Sequence, residues 1–429
     1  MKKLITTISA LIIAFSLNIN KVYAAPPPAP ESCSDGVVLM DANTGQILYS
    51  KNMDAAYPPA STTKVMTILL TLERCKLDAE VTVGKNPPQI AYAARSSSIS
   101  LVEGEKVTVK DLLYGLILRS GNDCAETLAE YIGGTSSNFA AIMNARAKEL
   151  GCTNTNFVNP SGLYDKNHKT SAKDLAIIMS ELSKHPEFKT ISTTTYYVIP
   201  PNNKFASGHP MSNENKIVNY KKYSIDGYEG SKTGWTSESL YSFTAVASRN
   251  GQKLVISLVH GKESAFYTDA KNYLDWGFSN FEAVKVYSKG DKVIDYKLED
   301  NKTMPLLASE DYFFTREKGS SDLPKFSYDD ENLATKSFKA NEAVLTLKFH
   351  INDTTLKPLV LKSEQEHTYK PSPLAVLSTK SNSLGKIVKY ILLSIFSALV
   401  LFVVFALIRK KHRAKKRQVK NYKDYYMYK

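Results

Sequence analysis

The sequence predicts an α+β domain, followed by a small all-β domain and a single transmembrane helix. Three observations support this prediction. Residues 33–280 have strand-like runs at both ends and helical stretches between them, a pattern typical of a mixed domain whose terminal strands share one sheet. From 281 to 362, short β-rich runs are separated by Gly, Asp and Asn. Residues 387–408 contain a charge-free apolar run that is long enough to cross a bilayer.

The α+β domain is predicted to begin with a β-hairpin, because apolar runs at 37–40 and 47–49 flank the turn signal Asp41-Ala-Asn-Thr-Gly45. Two prolines then end any extended element just ahead of Ser61, and the apolar residues after it recur with helical spacing. Ser61 is therefore expected at or near a helix N-terminus. Further helices are predicted over 109–118, 123–131, 138–150 and 172–182, and strands over 242–247 and 254–260.

The N-terminus carries an export signal. A pair of lysines precedes an apolar stretch at 4–17, and Val22-Tyr23-Ala24 provides a small-x-small cleavage site, so residues 1–24 are predicted to be a signal peptide. An uncleaved anchor is the alternative, but the apolar stretch is short for a membrane span. Residues 25–32 are rich in proline and are predicted to form an extended spacer.

The C-terminus is predicted to hold the protein in the cell membrane. Residues 363–386 are a polar, proline-containing linker to the 387–408 helix, and residues 409–429 form a basic tail with a charge of +9, out of +13 for the whole chain. By the positive-inside rule, the tail stays in the cytoplasm and everything before the helix lies outside. Because the tail accounts for most of the positive charge, the sequence does not indicate nucleic-acid binding. The tail is instead expected to meet anionic lipid headgroups.

No metal or cofactor site is predicted. The seven histidines show no metal-ligand spacing, the four cysteines match no zinc pattern, and no phosphate-binding glycine loop is present. All four cysteines lie on the exported side of the chain, at positions 33, 75, 124 and 152. Disulfides are therefore permitted, but a protein of this size can also bury its core with free thiols, and the sequence does not choose between them.

Ser61-Thr-Thr-Lys64 is the first of three short elements that could carry chemistry. At positions i and i+3 of a helix, a serine hydroxyl and a lysine amine lie on one face within hydrogen-bonding reach. A lysine in an apolar cleft can lose its proton near neutral pH and act as the base for the serine. Alone, however, the element is more typical of a helix cap and a solvated lysine than of a catalytic pair, and a second match at Ser383-Leu-Gly-Lys386 lies in the linker.

The other two elements are also weak when each is taken alone. Ser120-Gly-Asn122 ends one predicted helix and opens the next, where a serine or asparagine commonly caps a helix. Lys232-Thr-Gly234 precedes a predicted strand, where a polar hairpin arm is the simpler interpretation. A lysine and a threonine at a strand edge could instead bind a carboxylate, and the glycine would let a substrate backbone approach closely.

In combination and in this order, the three elements resemble the penicillin-interacting serine enzymes. The chain more narrowly resembles the low-molecular-mass penicillin-binding proteins that are D-alanyl-D-alanine carboxypeptidases. The resemblance is strong over 33–280 and looser over 281–362, and it implies a penicillin-binding/β-lactamase-like catalytic domain with helices flanking the sheet. The supporting segments are Asp41-Ala-Asn-Thr-Gly45, Pro59-Ala-Ser-Thr-Thr-Lys-Val-Met66, Asn159-Pro-Ser-Gly-Leu163 and Asp226-Gly-Tyr-Glu-Gly-Ser-Lys-Thr-Gly234.

The resemblance also implies a role for each motif residue. Ser61 would be the acylated nucleophile and Lys64 its base, while Ser120 and Asn122 would assist proton transfer and substrate positioning. The remaining substrate-binding residues would be Lys232, Thr233, Gly234 and Trp235, with the backbone N–H groups of Ser61 and Trp235 forming the oxyanion hole. The substrate would be a peptidoglycan stem pentapeptide ending in D-Ala-D-Ala, and β-lactam antibiotics would acylate the same serine. No cofactor and no metal are implied.

Two departures from the family pattern are visible. Some relatives have an arginine between the asparagines that match Asn213 and Asn215, where this chain has Glu214, which puts an auxiliary carboxylate contact there in doubt. Many relatives end in an amphipathic helix lying on the membrane, whereas a full span is predicted here, so that anchoring should be stronger.

Two other functions share part of this pattern. A class A β-lactamase needs a carboxylate-activated water, but the segment after Asn159 contains no E-x-x-L-N sequence. A β-lactam or muropeptide sensor would signal through the membrane helix, but the 21-residue tail is too short for a folded output domain. A carboxypeptidase is therefore the main prediction.

Overall fold

The computed structural model describes residues 27–298, 302–329, 332–351, 354–370 and 389–413. The predicted signal peptide, most of the predicted linker and the tail from residue 414 lie outside the described residues. Two compact units divide the chain. The first comprises residues up to Val293 with Leu307–Asp329 and Leu345–Leu361, and the second comprises Ile294–Leu306, Asp330–Val344 and the residues from Lys362 onward.

A five-stranded antiparallel sheet forms the centre of the α+β domain. The strands of this domain are β1 (Ser34–Asp41), β2 (Ile47–Lys51), β3 (Glu80–Thr82), β4 (Lys106–Thr108), β5 (Tyr196–Ile199), β6 (His209–Ser212), β7 (Tyr228–Thr236), β8 (Leu240–Arg249) and β9 (Gln252–Gly261). The sheet order is β2-β1-β9-β8-β7, so strands from both ends of the domain share one sheet, as predicted. The two short pairs β3–β4 and β5–β6 stand apart from it. Strand β7 lies at an edge, and one side of its backbone is left without a strand partner in this sheet.

Helices lie between β1 and β9 along the chain, and one more follows β9. They are α1 (Lys64–Arg74), α2 (Asn86–Ala93), α3 (Val109–Leu118), α4 (Asn122–Gly133), α5 (Ser136–Glu149), α6 (Ala172–Leu182), α7 (Pro186–Ser192), α8 (Lys216–Asn219) and α9 (Phe266–Asn280). The predicted helices at 109–118, 123–131, 138–150 and 172–182 are confirmed as α3 to α6, to within two residues at each end. Pattern reasoning missed α9, although its buried residues Tyr267, Ala270, Leu274 and Phe278 recur with helical spacing.

The sheet is buried on both faces. Alternate residues of β1 point to opposite sides, as the two-residue period of a strand requires. Val38 and Met40 pack into the larger apolar cluster with residues of α1, α3, α4 and α6, whereas Val37 and Leu39 pack with Tyr273 of α9. This double burial fixes the register of the sheet and therefore the position of the edge strand β7.

The Asp41-Ala-Asn-Thr-Gly45 turn is a structural anchor. Asp41 is fully buried, and its Oδ1 accepts hydrogen bonds from the backbone N–H groups of Asn43 and Thr44 at 2.9 and 3.1 Å. Its Oδ2 accepts from Thr315 Oγ1 at 2.8 Å. The turn thus joins β1 and β2 to a strand far along the chain, within the same compact unit.

The region after residue 281 is all-β, as predicted. Its strands are β10 (Phe281–Tyr287), β11 (Lys292–Lys297), β12 (Thr303–Ala308), β13 (Tyr312–Glu317), β14 (Lys325–Ser327), β15 (Ala343–Ile351), β16 (Thr354–Thr355) and β17 (Leu359–Ser363). Within the first compact unit, β10 pairs antiparallel with β13, and β14 and β16 pair antiparallel with β15.

A long apolar helix, α10, spans Lys389–Arg413 and overlaps the predicted 387–408 span. It has 25 residues and a mean hydropathy of 3.1 over its most apolar stretch. At about 1.5 Å per residue it exceeds the roughly 30 Å of a bilayer core, so its length and composition suit a membrane crossing.

Candidate active site

Ser61 lies in a short 3₁₀ turn, Ala60–Thr63, that runs directly into α1. The Nζ atom of Lys64, the first residue of α1, donates a hydrogen bond to Ser61 Oγ at 2.8 Å. The three-residue spacing therefore brings the hydroxyl and the amine together, as the sequence predicts. Residues 61–64 are called the nucleophile turn below.

Lys64 is fully buried. Besides the serine, its Nζ contacts Asn122 Oδ1 and the carbonyl oxygen of Ser161, each at 2.6 Å. Burial, and secondarily the positive charge of Lys232, hold the pKa of the Lys64 amine well below its usual range. An amine with a lowered pKa is available in the neutral form, and the two oxygen contacts orient it towards the serine.

The loop that supplies the Ser161 carbonyl is the Asn159-Pro-Ser-Gly-Leu163 segment. Asn159 Oδ1 accepts hydrogen bonds from the backbone N–H groups of Ser161 and Gly162 at 3.2 and 2.8 Å, which folds the segment into a tight turn. Gly162 has a φ of +84°, and a Cβ atom there would overlap the carbonyl of Ala60. Only glycine therefore allows this loop to pack against the nucleophile turn.

His168 ties the same loop region to the nucleophile turn. The Val158 N–H donates to its Nδ1 at 3.1 Å, so Nε2 carries the ring hydrogen and donates to Thr63 Oγ1 at 2.8 Å. Burial lowers the pKa of His168 to about 4. The histidine is thus a neutral structural donor.

Ser120 and Asn122 lie at the junction of α3 and α4 and face different partners. Ser120 adopts a left-handed conformation, with a φ of +56°, and lines a narrow cleft of about 40 Å³ together with Lys232 and Thr233. Asn122 is buried and contacts Lys64. The structure therefore brings both residues of the second element next to the other two elements.

The third element lies on the edge strand β7. Lys232 is buried, and its Nζ donates to the backbone carbonyl of Thr233 at 3.0 Å. Burial lowers the pKa of Lys232 to about 8, while the negative charge of Glu214, which also lines the narrow cleft, acts to raise it. Ser120, Glu214, Lys232 and Thr233 define what is called the Ser120–Lys232 cleft below.

Gly234 and Trp235 bring β7 against the nucleophile turn. A Cβ atom on Gly234 would lie only 2.9 Å from the Ser61 backbone nitrogen and 2.8 Å from the Pro59 carbonyl oxygen. The missing side chain thus allows the strand to approach the nucleophile turn directly. Trp235 follows, with a side chain that is 61% exposed beside Tyr241.

Sequence reasoning did not find Glu126. Its side chain is 2% exposed, and its Oε1 accepts a hydrogen bond from Ser161 Oγ at 3.2 Å. Burial raises the pKa of Glu126, and its charge opposes the lowering of the Lys64 pKa. A signal was present, since Glu126 lies one helical turn after Asn122 and therefore on the same face of α4.

The described residues include no candidate metal site and no disulfide. Among them, no group of three or more His, Cys, Asp or Glu side chains could hold a metal ion. The four cysteines, all within the described ranges, are free thiols, and Cys124 is buried.

The sequence matches two known families. Residues 22–264 match the family described as D-alanyl-D-alanine carboxypeptidase, and residues 281–369 match the C-terminal domain of penicillin-binding protein 5. A Bacillus subtilis relative, the D-alanyl-D-alanine carboxypeptidase DacF, is 33% identical over 325 residues, which cover 72% of this chain and 80% of the relative.

The chain is also similar in structure to solved proteins. Penicillin-binding protein 5 from Haemophilus influenzae aligns with a TM-score of 0.66 and 29% identity, covering 80% of this chain and 99% of that protein. The Streptomyces K15 DD-transpeptidase aligns with a TM-score of 0.54 and 31% identity, covering 59% of this chain and 100% of that protein. The fold is therefore that of penicillin-binding protein 5, with a catalytic domain followed by an all-β domain. The chain belongs to the D-alanyl-D-alanine carboxypeptidase family of serine peptidases.

Proposed function

We propose that Ser61 is the acylated nucleophile of this D-Ala-D-Ala carboxypeptidase and that neutral Lys64 is its base. The observation that carries the proposal is the 2.8 Å contact between Lys64 Nζ and Ser61 Oγ, made by a fully buried amine. A catalytic base must lie within hydrogen-bonding reach of the proton that it removes, and its pKa must be lowered towards the working pH. Lys64 meets both requirements.

The acylation step follows from these contacts. Lys64 takes the hydroxyl proton of Ser61 as Oγ attacks the carbonyl carbon of the penultimate D-alanine. The developing oxyanion is held by the backbone N–H groups of Ser61 and Trp235, which the close approach at Gly234 supports. Ser120 passes the proton to the nitrogen of the terminal D-alanine, which leaves as the free amino acid. Water then hydrolyses the ester and regenerates Ser61.

The residues proposed to bind the end of the substrate lie on strand β7. The substrate of the proposed reaction is a peptidoglycan stem pentapeptide, and its terminal carboxylate is bound by Lys232 and Thr233. A protonated lysine and a hydroxyl are suited to hold a carboxylate by charge and hydrogen bonding. Asn122 keeps Lys64 in place through its 2.6 Å contact. A β-lactam, whose carboxylate and amide mimic this end of the peptide, acylates Ser61 in the same way.

The protein is also proposed to be a single-pass membrane protein with its catalytic domain outside the cytoplasm. Helix α10 has the length and composition for a span, and the basic residues that follow it favour the cytoplasmic side. Added protease should remove the catalytic domain from intact spheroplasts and leave a small membrane-bound fragment carrying a C-terminal tag. Protection of the catalytic domain would contradict this orientation.

The reaction is tested by release of D-alanine from an acylated tripeptide ending in D-Ala-D-Ala, using the full-length protein in detergent. The wild type is expected to release one D-alanine per peptide, and Ser61→Ala should lose at least about 10³-fold in rate, because the covalent route is removed. Ser97→Ala serves as a matched control outside the nucleophile turn. Release by Ser61→Ala at the wild-type rate would rule out the mechanism.

A further inference from the structure

An ion pair joins Glu214, in the lining of the Ser120–Lys232 cleft, to Arg119 beside it. Glu214 lines the cleft, and its Oε1 is 3.1 Å from Nε of Arg119, the residue immediately before Ser120. The Glu214 backbone N–H also donates to the carbonyl of Leu118 at 3.0 Å. The loop after β6 is thereby fixed against the end of α3, so the two side chains are held near the cleft by their backbones.

A carboxylate is an unusual lining group for a cleft that is assigned to bind a carboxylate. Glu214 repels any anion that approaches Lys232, and its carboxylate also partly neutralises the charge of Arg119. The solvent exposure of the three side chains differs. Lys232 is buried, whereas the side chains of Arg119 and Glu214 are 38% and 58% exposed. A partly exposed ion pair is weak and can exchange partners at little cost.

We propose that Arg119 and Glu214 form an exchangeable ion pair that sets how tightly the cleft holds the C-terminal carboxylate of the substrate. When the substrate binds, its carboxylate replaces Glu214 as the partner of Arg119, and Glu214 turns towards solvent. Glu214 is therefore a specificity-determining residue that weakens the binding of charged C-termini, and Arg119 strengthens it. This inference rests on the proposed function, because it requires Lys232 and Thr233 to hold the same carboxylate.

The test compares two substrates that differ only at the C-terminus. One is an acylated tripeptide ending in D-Ala-D-Ala with a free carboxylate, and the other carries a terminal carboxamide. The full-length proteins are Glu214→Gln, Arg119→Gln, the double variant and the wild type, assayed in detergent at about pH 6, where Lys232 is protonated. Glu103→Gln removes an exposed carboxylate elsewhere and is the matched control.

Glu214→Gln is expected to lower KM for the carboxylate substrate about fivefold, which corresponds to the loss of one screened charge interaction. Arg119→Gln should raise that KM about fivefold, and the double variant should fall between the two. The KM values for the carboxamide should not change with any of these substitutions, and Glu103→Gln should match the wild type with both substrates.

An unchanged or higher carboxylate KM in Glu214→Gln would overturn the exchange. Equal changes for the two substrates would also overturn it, because they would show that the ion pair only supports the structure of the cleft. A wild-type enzyme that does not distinguish carboxylate from carboxamide would contradict the proposed carboxylate site itself, and the exchange with it. If the wild type prefers the carboxylate substrate and Glu214→Gln does not change the size of that preference, only the exchange would be overturned.

Discussion

The nucleophile turn and the Ser120–Lys232 cleft are assembled in different ways. Ser61 and Lys64 are three residues apart at the start of one helix, and a buried set of hydrogen bonds holds the amine in place. The cleft draws its residues from three distant segments, and Glu214 within it is largely exposed. The difference suggests a division of work, in which a rigid buried pair performs the chemistry and a more adaptable charged surface selects the substrate.

Removing the base is expected to have the largest effect. Lys64→Met keeps the length and burial of the side chain but removes the amine, so the rate of acylation by a labelled penicillin should fall about 10³-fold, within the range of general-base catalysis. The free energy of unfolding should be unchanged or higher, because a buried amine is replaced by an apolar group. Lys166→Met, an exposed lysine, is the control. A near-normal acylation rate would show that another group removes the proton.

The buried histidine is expected to make the free energy of unfolding depend on pH. His168 has a pKa of about 4 in the folded protein and about 6.5 when unfolded, so the unfolded state binds the extra proton first as the pH falls. The associated stability is present above pH 6.5 and is lost as the pH falls to about 4, by up to about 3 kcal/mol. Urea unfolding followed by tryptophan fluorescence should show this loss in the wild type.

The same measurement on His168→Gln should show a smaller loss over this range, because glutamine does not titrate. His185→Gln, at a half-exposed histidine, should behave as the wild type does. Equal pH dependence in His168→Gln and the wild type would contradict the assignment of this loss to His168.

The close approach of the two regions depends on Gly234. Gly234→Ala places a Cβ atom within about 3 Å of backbone atoms of Pro59 and Ser61, so β7 must move away from the nucleophile turn. Displacing one oxyanion donor costs about 10²-fold in rate. Single-turnover acylation by penicillin should slow by about this factor, while the KM for the peptide changes less. A normal rate would mean that the strand approach does not position the oxyanion.

The smallest predicted effect is the alkaline pH dependence of the cleft. Lys232 has a pKa of about 8, and only its protonated form attracts a carboxylate. The value of kcat/KM for the carboxylate substrate should therefore fall as the pH rises through about 8, by roughly tenfold per pH unit above it. The carboxamide substrate should lack this decline. A decline of the same size for both substrates would assign the titration to another group.

Local features of the sequence predicted much of the fold and the nucleophile turn. Helices α3 and α6 begin and end where predicted, because Thr108 and Ser171 cap their first turns and apolar spacing defines their lengths. The contact between Ser61 and Lys64 follows from the geometry of one helical turn. The contacts of Lys64 with Ser161 and of Thr63 with His168 could not be predicted, because they join segments about one hundred residues apart.

The Ser120–Lys232 cleft was less predictable, because its residues also come from segments that lie far apart in the sequence. The family resemblance drew attention to Glu214, but no local pattern predicts that its carboxylate approaches Arg119 and Lys232, because tertiary packing of α3, the loop after β6 and strand β7 brings them together. The three motif elements were informative only as a set, because each has a simpler structural interpretation when taken alone.

The most direct test of the account is to locate the penicillin adduct by mass spectrometry of the full-length protein after proteolytic digestion. We expect a single adduct on the peptide that contains Ser61, long-lived in the wild type, and no adduct at any position in Ser61→Ala. An adduct on another residue, or an adduct that persists in Ser61→Ala, would contradict the central claim that the nucleophile turn carries out the reaction.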